Sequence, residues 1–278
     1  MITKKKRFLF IVEGESREMD IFNNFADVFF NDKSEVVTLP VPAGMNIYMF
    51  YDILKKDNFE TDLVEVLKEN SAKAKQILEN FNRNSFSEVY LFFDFDAHAN
   101  NLRNKSNVSV LQEMLNVFNN ETELGKLYIS YPMVEAVRDH VADSCGVVSG
   151  SCIRNRADFG QYKKDSSKNT KNNKISSYDF LKWMVLTCNY VYRSACLFRV
   201  NKLEREKFLE TVTPNLIFDK QISIYEKSDD IFILSCLPEF LIDYSIIYWD
   251  LSIKNRKKPI LKNGCGMKPN RLSKTSKK

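Results

Sequence analysis

Histidine is almost missing from this chain. His98 and His140 are the only two, and the six cysteines (Cys145, Cys152, Cys188, Cys196, Cys236 and Cys265) fall at irregular spacings without one Cys-x-x-Cys pair. That pattern offers no zinc site. The thiols are expected to be reduced, several of them buried as small apolar side chains. No apolar run approaches the ~20 residues of a membrane-spanning helix. The basic start, Lys4 to Arg7, is followed by too short an apolar stretch for a secretory signal. A cytoplasmic protein is therefore expected. There is no internal repeat, and no GxxxxGK[ST] phosphate loop, so ATP hydrolysis, if the protein uses it, has to come from a partner.

What is present is globular. The 278 residues are 44% hydrophobic and 28% charged, which excludes collagen-like, mucin-like and wholly disordered classes and allows a sizeable core. Charge is unevenly placed. Residues 251–278 carry eight Lys and two Arg with no Asp or Glu, so against a whole-chain net of +5 the remainder is acidic by about five charges. A basic tail on a mildly acidic body reads either as a polyanion contact or as a solvated terminus.

Along the first half, apolar runs alternate with helical spacing. Phe8 to Val12 is an unbroken apolar strand ending at Glu13-Gly14, and Arg17 to Phe30 repeats Met19, Ile21, Phe22, Phe25 and Phe29 at helical intervals. A strand at 36–41, a helix at 46–56 and a long amphipathic helix at 62–81 follow. Glu88 to Phe93 reads as a central buried strand that ends in Asp94-Phe95-Asp96. A helix over 108–118, a strand at 127–130 and a helix opened by Pro132 complete this part. The pattern predicts an α/β fold: a Rossmann-like, mainly parallel sheet with flanking helices. Beyond Ala142 the character changes. Residues 154–174, rich in Lys, Asn and Ser, read as a loop or insertion. Helices are predicted over 178–200, 202–212 and 235–249. The expected division is 1–141 as the catalytic α/β domain, 142–250 as an insertion loop with a helical C-terminal subdomain, and 251–278 as the basic tail.

In an open parallel sheet, ligands bind beyond the carboxyl ends of the strands. Glu13 and the Asp94/Asp96 pair are predicted at such ends. Side chains alternate along a strand, so Asp94 and Asp96 share a face with Cα atoms about 6–7 Å apart. Gly14 permits a tight exit from the strand and close approach of a phosphate. Hard carboxylates gathered at one rim suit Mg²⁺, held together with substrate phosphates and waters. Glu13 would complete the metal shell or move a proton.

These residues resemble a known family. IVEGESREMDIF is similar to the Toprim motif, an apolar strand ending in Glu-Gly with a further acid in the next helix, and LFFDFD is similar to its later DxD. The resemblance covers roughly residues 7–140 and is strongest to RloB-like and OLD-type Toprim nucleases, through Glu13, Gly14 and Glu18 and through Ser130, Pro132 and Glu135. The usual second helix acid, four residues after the catalytic Glu, is replaced here by Arg17, with Glu18 one later. The resemblance implies a Toprim-like fold and a catalytic, metal-binding set of Glu13, Asp94 and Asp96 with Mg²⁺ (Mn²⁺ as an alternative). It also implies phosphodiester hydrolysis in DNA or RNA, transfer RNA included, by a toxic effector of anti-phage defence controlled by an ABC- or AAA-type ATPase partner. A homodimer is left open.

Other residues carry two readings each. Glu135 is either part of the site or an acid favoured by a helix N-terminus. His98 is a phosphate donor or acid, or merely a solvated loop residue. Ser130 reads as a helix cap, and Tyr131 as a packing residue or a base-stacking one. Lys163, Lys164, Lys168, Lys171 and Lys174 form a phosphate-tracking strip or a solvated loop, and Arg154 and Arg156 likewise meet substrate phosphates or solvent. The aromatics of the C-terminal helices recur at helical intervals and read as core. Among competing functions, a primase or topoisomerase lacks its companion domains here, and a haloacid-dehalogenase-type phosphatase would want Thr where His98 stands. A non-catalytic subunit that keeps the fold for docking is the alternative of a different class.

Overall fold

The computed structural model describes residues 5–30, 34–42, 45–95, 106–139, 152–168, 174–199 and 204–254. Asp96, His98, His140, Lys171 and the basic tail beyond Lys254 lie outside the described residues. In chain order the elements are β1 (Lys6–Val12), α1 (Arg17–Phe29), β2 (Ser34–Pro40), α2 (Ile47–Lys55), α3 (Leu63–Asn70), α4 (Ala72–Ile77), β3 (Glu88–Asp94), α5 (Asn107–Val117), β4 (Asn119–Asn120) and β5 (Gly125–Ser130). There follow α6 (Ala136–Asp139), β6 (Ile153–Asn155), α7 (Phe159–Ser167), α8 (Phe180–Phe198), α9 (Arg205–Thr211), α10 (Pro214–Ser228), β7 (Asp230–Phe232), α11 (Cys236–Tyr244) and α12 (Ile246–Lys254).

The main sheet has the order β2-β1-β3-β5-β4, parallel except for the two-residue β4. Burial on both faces explains the unbroken apolar runs. Leu9, Ile11, Val89, Leu91, Phe93, Leu127 and Ile129 share one core with α2, α3, α5 and α10. Alternate residues, Phe8, Phe10, Tyr90, Phe92 and Tyr128, share the other with α1, α8 and α11. Phe240 of α11 sits in the middle of that second core, with ring centroids 4.7 Å from Tyr90, 5.5 Å from Phe92 and 5.6 Å from Phe10. The C-terminal helices are thus layers on the sheet, and no described helix is long and apolar enough to cross a membrane.

Several expectations are corrected. The helix expected over 62–81 breaks at Ser71, whose backbone is extended and whose side chain accepts from Ala74 N to start α4. The loop expected over 154–174 contains α7 and most of β6. Its one buried stripe, Phe159, Tyr162 and Ser166, is too thin to be seen among the lysines. Pro132 opens no long helix: α6 has four residues. Residues 235–249 form two helices, divided where Ser245 turns extended. Helix α10 and strand β7 were not anticipated.

Candidate active site at the strand ends

The chain leaves β1 toward β2 on one side, and β3 lies on the other. The crevice between the carboxyl ends of β1 and β3 is therefore the switch point of the sheet, where open α/β folds bind ligands. Glu13 follows β1 and Asp94 ends β3. The two meet: the Asp94 backbone N–H donates to Glu13 Oε2 at 2.9 Å, across 81 residues of sequence. Asp94 is paired in register with Ser130, the last residue of β5.

Two further acids join them. The Glu18 carboxyl lies directly over Gly14, where a Cβ would fall 2.1–2.8 Å from its carboxyl atoms. The Glu18 carboxyl thus lies over the Gly14 backbone at the end of β1, although Glu18 stands one residue later than the position expected from the motif. Glu135, just past β5, is buried, and Lys163 Nζ of α7 stands 3.9 Å from its Oε1. Burial pushes the Asp94 carboxyl well above the usual carboxylate range. Glu13, Glu135 and Glu18 push it further, while the Val134 backbone N–H opposes the rise.

Comparison with protein-family models, curated proteins and solved structures finds no match for this chain. The reading of the site therefore rests on its own chemistry. Glu13, Glu18 and Glu135 act on Asp94 as like charges, and carboxylates are hard oxygen donors of the kind that suit a hard divalent cation. Among the described residues, however, no three His, Cys, Asp or Glu side chains stand close enough together to hold a metal ion as they are placed. Asp96, the second acid of the DxD, and His98 lie outside the described residues.

The surroundings sort the remaining candidates. Ser130, expected to cap a helix, instead ends β5: its Oγ accepts from the N–H of Cys236 in α11 at 3.4 Å and lies 3.1 Å from the Cys236 sulfur. Burial pushes that thiol well up, which keeps it protonated. Tyr131 is buried against Phe95 with ring centroids 5.6 Å apart, a packing role. Of the basic candidates, Lys163 reaches Glu135, and Arg156 lies near Tyr225, whose ring meets Phe95 edge-on at 5.5 Å. Arg154 lies over the Tyr162 ring at 5.3 Å. Lys164 is exposed on α7, and Lys168 is tied to Asp165 at 3.3 Å.

One group of supporting residues was missed. Beneath Glu135, the buried Arg193 of α8 donates to the carbonyls of Asp139 and Ile233, and the Tyr162 hydroxyl donates to Asp139 Oδ2 at 3.3 Å. A second clamp, from Tyr131 N to Leu234 O at 2.8 Å and back at 2.9 Å, fixes the residue after β5 to the strand leading into α11. The available signal was Arg193 itself, the one charge inside the run CNYVYRSACLF.

Proposed function

We propose that this chain is a metal-dependent nuclease of Toprim type that hydrolyses phosphodiester bonds in DNA or RNA. The observation that carries the reading is the meeting of Glu13 with Asp94 at the switch point of a parallel sheet, with Glu18 and Glu135 beside them. Glu13, Asp94 and Asp96 would hold Mg²⁺, which when bound supplies polarisation of the phosphorus centre and stabilisation of the leaving oxygen. The chain's own residues contribute the rest. The Asp94 N–H fixes the direction of the Glu13 carboxylate. Glu18 lies over Gly14 at the same rim, and the exposed ammonium of Lys163 supplies positive charge where a phosphate backbone would arrive. Under this proposal, the ATPase partner and the role in anti-phage defence follow from the family resemblance of the motifs.

The test uses purified wild type, Glu13→Ala and Asp94→Asn with RNA and DNA substrates, in Mg²⁺ and in EDTA. Wild type is expected to cleave one of them only with metal. Each variant should lose at least the ~10–100-fold that even a supporting group costs a metal site. Asp94→Asn, which removes one of four mutually repelling acids, should melt no lower than wild type at pH 8, so its loss is not one of folding. Cleavage unchanged in both variants, or absence of metal-dependent cleavage of either polymer, overturns the proposal and favours a docking role.

A further inference from the structure

Helix α1 starts beside the strand-end acids and runs back along the sheet, so Phe29 at its far end lies roughly 16 Å of helix from Glu18. There the Phe29 ring joins two other helices. Its centroid is 5.8 Å from Phe180 at the start of α8 and 5.2 Å from Tyr248 near the start of α12. Next to these rings in the two helices stand Leu181 and Ile247, the two most exposed large apolar side chains among the described residues, at 62% and 53%. Val185, one turn on from Leu181, and Phe180 itself are also exposed. Apolar residues scattered singly on a surface need no explanation, but several gathered where three helix ends meet mark a binding surface.

Charge says what covers it. Ile247 and the exposed Lys254 are seven residues apart and share one face of α12. Lys254 belongs to residues 251–278, which carry eight Lys and two Arg with no Asp or Glu, while the rest of the chain is acidic by about five charges. An anionic surface therefore attracts this end of the molecule and repels the remainder. A second copy fits poorly, because joining two such patches brings two strings of positive charge together. Nucleic acid is anionic, but its sugar-phosphate exterior leaves Leu181 and Ile247 uncovered. An anionic bilayer supplies both partners, headgroup phosphates for the lysines and acyl chains for the protruding apolar groups. We propose that this face docks on an anionic lipid membrane, with Phe180, Leu181, Val185 and Ile247 entering the headgroup boundary and the basic segment after α12 meeting the phosphates. The inference is independent of the nuclease reading.

The full chain is mixed with vesicles of phosphatidylcholine alone, or of phosphatidylcholine and phosphatidylglycerol in equal parts, and the bound fraction is measured by flotation. Binding is expected only to the anionic vesicles, and added salt should weaken it. Leu181→Ser combined with Ile247→Ser should weaken it at least ~10-fold, the margin of one buried aliphatic side chain. Both positions are more than half exposed, so this variant should melt as wild type does. Lys257→Gln, Lys258→Gln and Lys262→Gln together should weaken binding about 100-fold, the joint margin of three lysines at an anionic surface. Absence of wild-type binding to anionic vesicles, equal binding to both kinds of vesicle, or unchanged binding in the Leu181 and Ile247 variant overturns the proposal. So does a wild-type dimer, seen by sedimentation without lipid, that the same variant turns into a monomer, since the patch then belongs to a second copy.

Discussion

Glu239 is the residue at which burial and ionisation conflict most openly. Its carboxyl is pushed well above the usual carboxylate range by burial first and by Asp243 second, and Lys126 only partly opposes this. Over a pH range starting near the ordinary Glu value of ~4.3, the folded chain keeps a proton that the unfolded chain has lost. Stability from this group is therefore fully present below that value and declines as pH rises toward the elevated folded pKa. Glu239→Gln cannot lose a proton, so its melting temperature relative to wild type should climb between pH 5 and pH 8, by roughly 2–4 °C for each kcal/mol relieved. Thermal melts at several pH values check this, and a difference independent of pH would show that the carboxyl is not strained by its surroundings. The same logic of crowded acids governs Asp94, but there the repulsion lies where a cation would be useful. A costly arrangement beside a crevice has a functional reading.

At the scale of elements, one side chain stands in for a strand. Gln221 of α10, fully buried, donates to the carbonyl of Phe232 at 2.8 Å and accepts from the N–H of the same residue at 2.9 Å. It supplies on one side of β7 the pair of bonds that β6 supplies on the other. Gln221→Ala leaves two buried backbone groups unmet, at ~1–3 kcal/mol each. A loss of about 2–6 kcal/mol is expected in urea unfolding, and a loss below ~1 kcal/mol would mean that water replaces the amide. Such long-range pairings are what the sequence conceals. Strands β1, β3 and β5 were legible because burial on both faces leaves uninterrupted apolar runs, and α1 because its apolar stripe is wide, whereas the two polar residues of β4 gave no signal. The meeting of Glu13 and Asp94 was foreseeable from their places at strand ends. By contrast, β6 and β7 have three residues each and no pattern of their own. Helix α7 hides a narrow buried stripe among exposed lysines, and the clamps at Arg193 and Tyr131 join segments that nothing local relates.

For the molecule as a whole, the face of the sheet formed by Phe8, Phe10, Tyr90, Phe92 and Tyr128 is closed by α8 and α11 as well as α1. A fragment of residues 1–141 would leave Phe240 out of that core and the aromatic side chains of three strands in water. It is expected to be insoluble or to lack near-ultraviolet circular dichroism, while the full chain gives a sharp near-ultraviolet spectrum. A soluble fragment with a cooperative melt would count against a shared core. The position of β1 has a consequence for biosynthesis. This strand is made first yet lies inside the sheet, hydrogen-bonded to β3 as well as β2, and its outer face is completed only by residues 236–244. At ~5–20 residues per second, the ribosome needs roughly 10–50 s between releasing Val12 and releasing α11. For that interval the Phe8 and Phe10 face of the strand, already beside α1, β2 and β3, lacks the Phe240 cover and stays adhesive until α11 arrives.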